Sequence, residues 1–355
     1  MPNPQPKDYA IVVGIDDYPL YGTNGRNLSG AVRDATRFHT WLLDSEVGGG
    51  LQPEHCHLIT SHGDPMALTQ AAIDLKFRDL WTKARNAEGG RRFYFYFAGH
   101  GQLILSQNTL DIEQSLCLPQ WSPDMPNAAL NADSYPKVVR KCMPFEEIVM
   151  FLDCCRAPAI QVVALPSTVG CIAFNTDYDQ VNTMVYYAAE PMRLAFEGDI
   201  GDAAEEEEIE VQGFFSTALI EALEMGSDRD GGGIGAEALW NYLKLRVPQI
   251  ADVSGRRQSP RRGSFQFSDN VVFGSASPQA ENGESNFEIR FSDERTGPIR
   301  LVDSGAGVLR DGPPASGPWQ VHLNPGETYM LIDDNNDQQR AFVFLPGMEG
   351  KHDTF

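Results

Sequence analysis

RFYFYFAGHG, residues 92–101, sets five aromatic rings side by side and then stops on a histidine between two glycines. A run that is apolar at odd and even positions alike reads as a strand buried on both faces. Outward from it, EIVMFL (Glu147–Leu152) is a second such strand and ends at Asp153-Cys154-Cys155-Arg156, and DYAIVVG (Asp8–Gly14) is a third. Cys56–Thr60 and Thr183–Ala189 add two shorter ones. Helical spacing of apolar residues fills the intervals: Ser29–Leu43, with Ser29 placed as its cap, then Ala67–Ala84, Phe214–Met225 and Ala236–Leu245. Strands alternating with helices predict an α/β fold with a mostly parallel sheet covered on both faces, where ligands bind beyond the carboxyl ends of the strands. His100 and Cys155 stand at two such ends.

The 355 residues carry a formal charge of −21, which disfavours nucleic acid as a partner. An apolar fraction of 42% is that of a folded globular protein. The N-terminus lacks an apolar leader core, and no uncharged apolar run reaches membrane-spanning length, so the expectation is a cytoplasmic protein with no membrane anchor. Six cysteines without paired CxxC spacing imply neither a disulfide framework nor a thiolate zinc site, and reduced thiols are expected. Gln107–Tyr135 is polar and aperiodic, an irregular insertion. Residues 1–274 read as the α/β domain and 275–285 (SASPQAENGES) as a linker. Residues 286–355, with short alternating runs at Phe287–Phe291, Trp319–Leu323, Tyr329–Ile332 and Ala341–Leu345, read as a small antiparallel β domain.

A thiol becomes a useful nucleophile when an imidazole nearby can take its proton, and both groups need exposed backbone positions. Strand ends supply that exposure. Cys155 follows His100 by 55 residues on a separate strand, and the two strands can be neighbours in one sheet.

These residues resemble the caspase-like cysteine peptidases, most closely the metacaspase and orthocaspase branch, over about Tyr9–Arg262. In that family a strand ending in Gly-His-Gly carries the catalytic histidine and one ending in Asp-x-Cys carries the nucleophile, matching His100 and Cys155, with Cys154 between. Arg156 also fits the caspase signature, while Ala157 departs from its glycine. AIVVGIDDYP, NLSGAVRDA, QSLCLP and GFFSTALIEAL follow in the family's order. The resemblance implies acyl transfer, with the Gly101 and Cys155 amides holding the oxyanion and His100 protonating the leaving amine.

For specificity, the resemblance points away from aspartate-cutting caspases, since Leu28 and Asp153 stand where those have arginine and glutamine. It points to Asp34 and Asp153 as a pocket for substrate Arg or Lys, by charge-assisted hydrogen bonds. Ala98 replaces a serine that metacaspases commonly place there. Plainer roles compete: Asp34 also suits the first turn of a helix, and Cys56, Cys117, Cys142 and Cys171 suit a core. His55-Cys56-His57 with His62 suits a solvated strand edge better than a metal site. Asp228–Gly233 resembles half a calcium loop, so no metal is assigned, and calcium stays open because some metacaspases need it. The acidic run Glu205–Glu208 falls in the family's activation-loop region, and Arg256, Arg257, Arg261 and Arg262 form a basic loop able to contact it. The expected partners are protein substrates, with an activating protease or regulatory protein. The expected enzyme is a regulated, zymogen-type protease in stress or immune signalling. The rival reading is a catalytically weak scaffold that recruits partners through residues 286–355.

Overall fold

The computed structural model describes residues 7–21, 27–45, 48–87, 89–105, 112–142, 144–158, 168, 178–199, 211–225, 233–266, 271–274, 286–291, 298–302, 308–313, 318–323, 328–333, 338–344 and 352–354. They fall into two compact units, residues 1–221 with 243–270 and residues 222–242 with 271–355. The expected linker at 275–285, the Glu205–Glu208 run, Cys171 and most of Asp228–Gly233 lie outside the described residues.

In the first unit the strands are β1 (Asp8–Gly14), β2 (Cys56–Thr60), β3 (Gly90–Ala98), β4 (Gly101–Leu105), β5 (Ile112–Cys117), β6 (Ala129–Asn131), β7 (Phe145–Asp153), β8 (Ala157–Pro158), β9 (Asn182–Tyr187), β10 (Glu197–Asp199) and β11 (Val211–Gly213). β12 (Ile234–Gly235) belongs to the second unit, and β13 (Arg261–Gln266) closes the first. The helices are α1 (Ala31–Leu43), α2 (Gln70–Asn86), α3 (Ser134–Cys142), α4 (Phe214–Met225) and α5 (Ala236–Val253). A central sheet runs β13-β9-β7-β3-β1-β2, parallel throughout except for the antiparallel edge strand β13.

The aromatic run explains why both faces are covered. Successive side chains of a strand point to opposite faces. Phe93 and Phe95 of β3 meet Phe77 of α2 at ring centroids of 5.3 and 5.8 Å, and Phe95 meets Tyr135 of α3 at 5.9 Å. Tyr96, on the other face, stacks on Phe38 of α1 at 4.7 Å, and Phe151 of β7 joins it at 5.5 Å.

Three local expectations change. The stretch Gln107–Tyr135 contains β5 and β6, because Gln114 and Ser115 are fully buried polar residues that hide the strand's apolar signal. Arg261 and Arg262 open the edge strand β13 and are not in a loop. Cys142 at the end of α3 is disulfide-bonded, whereas Cys56, Cys117, Cys154 and Cys155 carry free thiols. Spacing along a sequence cannot reveal such a pairing.

The second unit pairs β12 with β14 (Val272–Phe273) and holds two further sheets around Phe287, Ile289, Leu301, Trp319, Tyr329 and Phe344. Its strands are antiparallel except that Phe287–Arg290 pairs in parallel with His352–Thr354. Among the described residues no helix is long and apolar enough to cross a membrane.

Candidate active site

β3 and β7 lie side by side with Ala98 opposite Asp153, so both chains leave the sheet at one level. His100 and Cys155 each stand two residues past that pair, and both line one cavity of about 220 Å³. The Gly99 amide donates to the Asp153 carbonyl at 3.1 Å and ties the two exits together. The His100 amide donates to the Tyr18 hydroxyl at 2.8 Å, and the His100 ring sits 4.5 Å from Tyr18 and 5.2 Å from Tyr21.

Packing, more than substrate approach, demands the two glycines. A Cβ on residue 99 would lie 2.6 Å from the Tyr18 hydroxyl oxygen, and one on residue 101 would lie 2.6 Å from the Cys154 sulfur. Cys117 N–H donates to the His100 carbonyl at 2.9 Å. Antiparallel pairs alternate between bonded and non-bonded, so the next pair, Gly101 with Leu116, is non-bonded and the Gly101 N–H points away from β5.

Cys155 and Cys154 separate as strand alternation requires. Cys154 is buried with its sulfur 3.4 Å from Gln114 Nε2, whereas Cys155 is half-buried. At rest the Cys155 thiol donates to the Ala195 carbonyl, Sγ to O 3.4 Å. Burial pushes its pKa above the usual thiol value, and the nearby Asp153 charge adds to the rise. Cys155 therefore holds its proton more tightly than an ordinary thiol.

Asp34 and Asp153, from α1 and β7, line the same cavity. Asp153 Oδ2 accepts from the amide of Ser216 at 3.1 Å and from its hydroxyl at 2.6 Å. Tyr96 and Ser216 share a hydrogen bond at 2.5 Å. Asp34 Oδ2 accepts from Gly213 N–H at 2.7 Å, while its Oδ1 is buried with no hydrogen-bond partner among the described residues. Burial raises both carboxyls, Asp153 to about 6, and the neighbouring Asp153 charge raises Asp34 further. Gly213 lies against both: a Cβ there would meet Asp153 Oδ2 and stand 2.9 Å from Asp34 Oδ2.

Sequence reasoning missed one residue of this cavity wall, Glu197, and one that holds Asp153 from outside the lining, Ser216. Glu197, on β10, accepts from the amides of Ser29 at 3.0 Å and Gly30 at 2.9 Å. It thus does at the start of α1 what Ser29 was expected to do, since the Gly30 cap position makes no side-chain bond. Nothing local could have shown a cap contributed from 168 residues away. Ser216 was visible in GFFSTALIEAL, and it gives Asp153 the hydroxyl that Ala98 does not. Elsewhere, His57 pairs with Asp79 at 2.8 Å and His55 stacks on Tyr9 at 4.2 Å, and the described residues contain no group of three or more His, Cys, Asp or Glu able to hold a metal ion.

A family model of the caspase domain matches residues 7–269. A probable protease from a Desulfuromonadales bacterium is 28% identical over an alignment of 158 residues that covers 42% of this chain but only 18% of that protein. Protein GSU0716 from Geobacter sulfurreducens, a solved structure at 15% identity, aligns with a TM-score of 0.45 over 76% of this chain and 98% of its own.

Proposed function

The chain belongs to the caspase-domain family, a family of peptidases, and on that premise we propose that it is a cysteine endopeptidase that cuts proteins after Arg or Lys. The observation that carries this reading is the unpartnered Asp34 Oδ1, buried beside Asp153 in the cavity that His100 and Cys155 also line. A buried carboxylate oxygen without a donor is costly, and a guanidinium or ammonium group supplies the missing donor together with the opposite charge. Glu197 adds a third carboxylate to the same wall, and Leu28, Ala31 and Phe196 suit the aliphatic stem of the side chain.

With a basic side chain so held, the scissile carbonyl carbon comes to Cys155. His100 takes the Sγ proton as sulfur bonds to that carbon, and the Gly101 and Cys155 amides receive the oxyanion. The imidazolium then gives its proton to the leaving amine as the C–N bond breaks. His100 next takes a proton from water, whose oxygen attacks the thioester, and returns one to the departing sulfur. The thiol must turn from Ala195 toward His100 for the first step. The reaction so written calls on no metal ion or cofactor.

A positional-scanning fluorogenic peptide library on the purified protein tests the reading. Cleavage concentrated after Arg and Lys, and lost in Cys155→Ala, supports it. Cleavage after another residue sinks the specificity, and no cleavage at all leaves the scaffold role as the better account.

A further inference from the structure

Beside Cys155, and outside the cavity lining, four polar side chains close a ring. Gln114 is fully buried. Its Nε2 donates to the Cys155 carbonyl at 3.2 Å and to the Ser115 carbonyl at 3.0 Å, and its Oε1 accepts from Arg156 Nε at 3.1 Å. The Arg156 guanidinium lies 4.0 Å from the centre of the Tyr187 ring, Tyr187 donates its hydroxyl to Asp133 Oδ1 at 3.3 Å, and Asp133 Oδ2 accepts the Gln114 amide at 2.5 Å. The ring has one output. The peptide joining Cys155 to Arg156 is held at both ends, its carbonyl by Gln114 and its N–H by the Arg193 carbonyl at 2.9 Å.

The chemistry of the partners leaves a primary amide as the group that fits. A guanidinium only donates and a carbonyl only accepts, so the side chain between them must accept on one atom and donate on the other. Glutamate at 114 would pair with Arg156 but set a second acceptor, and a negative charge, against the Cys155 carbonyl. Leucine or methionine would serve neither partner. Fixing the peptide after Cys155 fixes the ψ of Cys155 and hence the place from which its sulfur must reach His100.

We propose that Gln114 is a positioning residue for the nucleophile, holding the Cys155–Arg156 peptide so that the thiol stands where His100 can take its proton. The proposal rests on Cys155 being the nucleophile, and it adds a residue that touches neither substrate nor the reacting atoms. Its signature is a loss in kcat without a loss in substrate binding.

Gln114→Glu and Gln114→Met, made in the full chain, test it through three readings: kcat and KM on a fluorogenic Arg peptide, thermal unfolding, and the rate at which iodoacetamide alkylates Cys155 across pH, followed by peptide mass. Gln114→Glu keeps the Arg156 pairing but sets a buried charge against two carbonyls, so its unfolding temperature should fall, and it is assayed well below that temperature, where it is folded. Its kcat should fall at least tenfold with KM within twofold, and the midpoint of Cys155 alkylation should move to higher pH. Gln114→Met should lose kcat as well, with a lower unfolding temperature. A purely structural Gln114 would make activity follow folded fraction. Wild-type kcat in a folded Gln114→Glu protein, or a loss confined to KM, overturns the proposal. Alkylation needs no substrate, so if the wild-type protein cuts no Arg or Lys peptide the specificity has failed, while an unchanged alkylation profile in Gln114→Glu still overturns the role of Gln114.

Discussion

Glu197 accepts the Gly30 amide at 2.9 Å and so caps α1 from strand β10, with Asp34 one turn further along the same helix. One carboxylate thereby has two tasks. It satisfies amides at a helix start, where negative charge is favoured, and it adds negative charge to the cavity wall that holds Asp34 and Asp153. Glu197→Gln keeps an acceptor oxygen and loses the charge, whereas Glu197→Ala loses both. The alanine variant should lose about 1 kcal/mol of stability and the glutamine variant less than half of that, by urea titration. Both should lower the ratio of kcat/KM for an Arg peptide over its citrulline twin. A glutamine variant with the wild-type ratio would show that Glu197 acts only as a cap.

Removing charge at Asp34 should be more selective. Asp34→Asn retains an acceptor for the Gly213 amide and loses the buried charge. Taking one charge from a buried pair costs about 2–5 kcal/mol, so the Arg over citrulline ratio should drop by more than an order of magnitude while cleavage of the citrulline peptide is largely kept. Equal losses on both peptides would mean a folding defect.

Asp153 gives the cavity a pH dependence whose sign differs between stability and activity. Its folded pKa of about 6 lies above the ordinary 3.8, so the folded state binds more protons than the unfolded state between those values. Stability from this group is therefore present below about pH 4 and lost as pH rises toward 6. Asp153→Asn, which does not titrate, should gain stability relative to wild type over that interval in parallel urea titrations. Activity runs the other way, because binding a cation needs the carboxylate. The Arg over citrulline ratio should fall below about pH 6 in wild type and stay flat in Asp153→Asn, and a flat wild-type ratio would remove Asp153 from recognition.

Much of this fold was legible because burial on both faces writes a continuous apolar run. The five aromatics of β3 located a central strand without help from periodicity, and His100 and Cys155 followed from where β3 and β7 end. β5 was hidden for the opposite reason, since Gln114 and Ser115 are buried as polar groups, and Gln114 serves the Cys155 backbone instead of the apolar core. β13 was hidden because an edge strand needs little apolar sequence and opens with Arg261 and Arg262. Asp34 and Asp153 were found through resemblance. Glu197 joins them only through the folding of the chain, as does the Ser29 amide it caps.

The two cysteines should separate cleanly. Cys155→Ala should lower proteolysis by several orders of magnitude, because nucleophile and base act as a unit. Cys154→Ala should retain most of it, at some cost in stability from a buried side chain. Iodoacetamide should label Cys155 in the native protein and spare Cys154, with a rate that keeps climbing to higher pH than for an unburied thiol because burial holds the thiol proton. The reverse ranking of the two alanine variants would move the nucleophile to Cys154.

The chain should also stay whole while active. Between Ala157 and Asp228 the one basic residue is Arg193. Its carbonyl accepts the Arg156 amide at 2.9 Å and its own amide donates to the Glu190 carbonyl at 3.1 Å, so the segment is already bonded to the chain that carries Cys155. Lys137, Arg140 and Lys141, at the end of the irregular insertion, would read from sequence as an exposed basic stretch open to cleavage. They lie instead in α3, whose Tyr135 and Val139 are buried. A protease binds its substrate extended, and unwinding α3 would expose both side chains, so this site is protected as well. Intact-mass measurement of the active protein beside Cys155→Ala, after prolonged incubation at high concentration, should give one species of full length in both samples. Fragments ending at Arg193, or within residues 137–141, that appear only in the active sample would show that self-cleavage occurs despite these bonds.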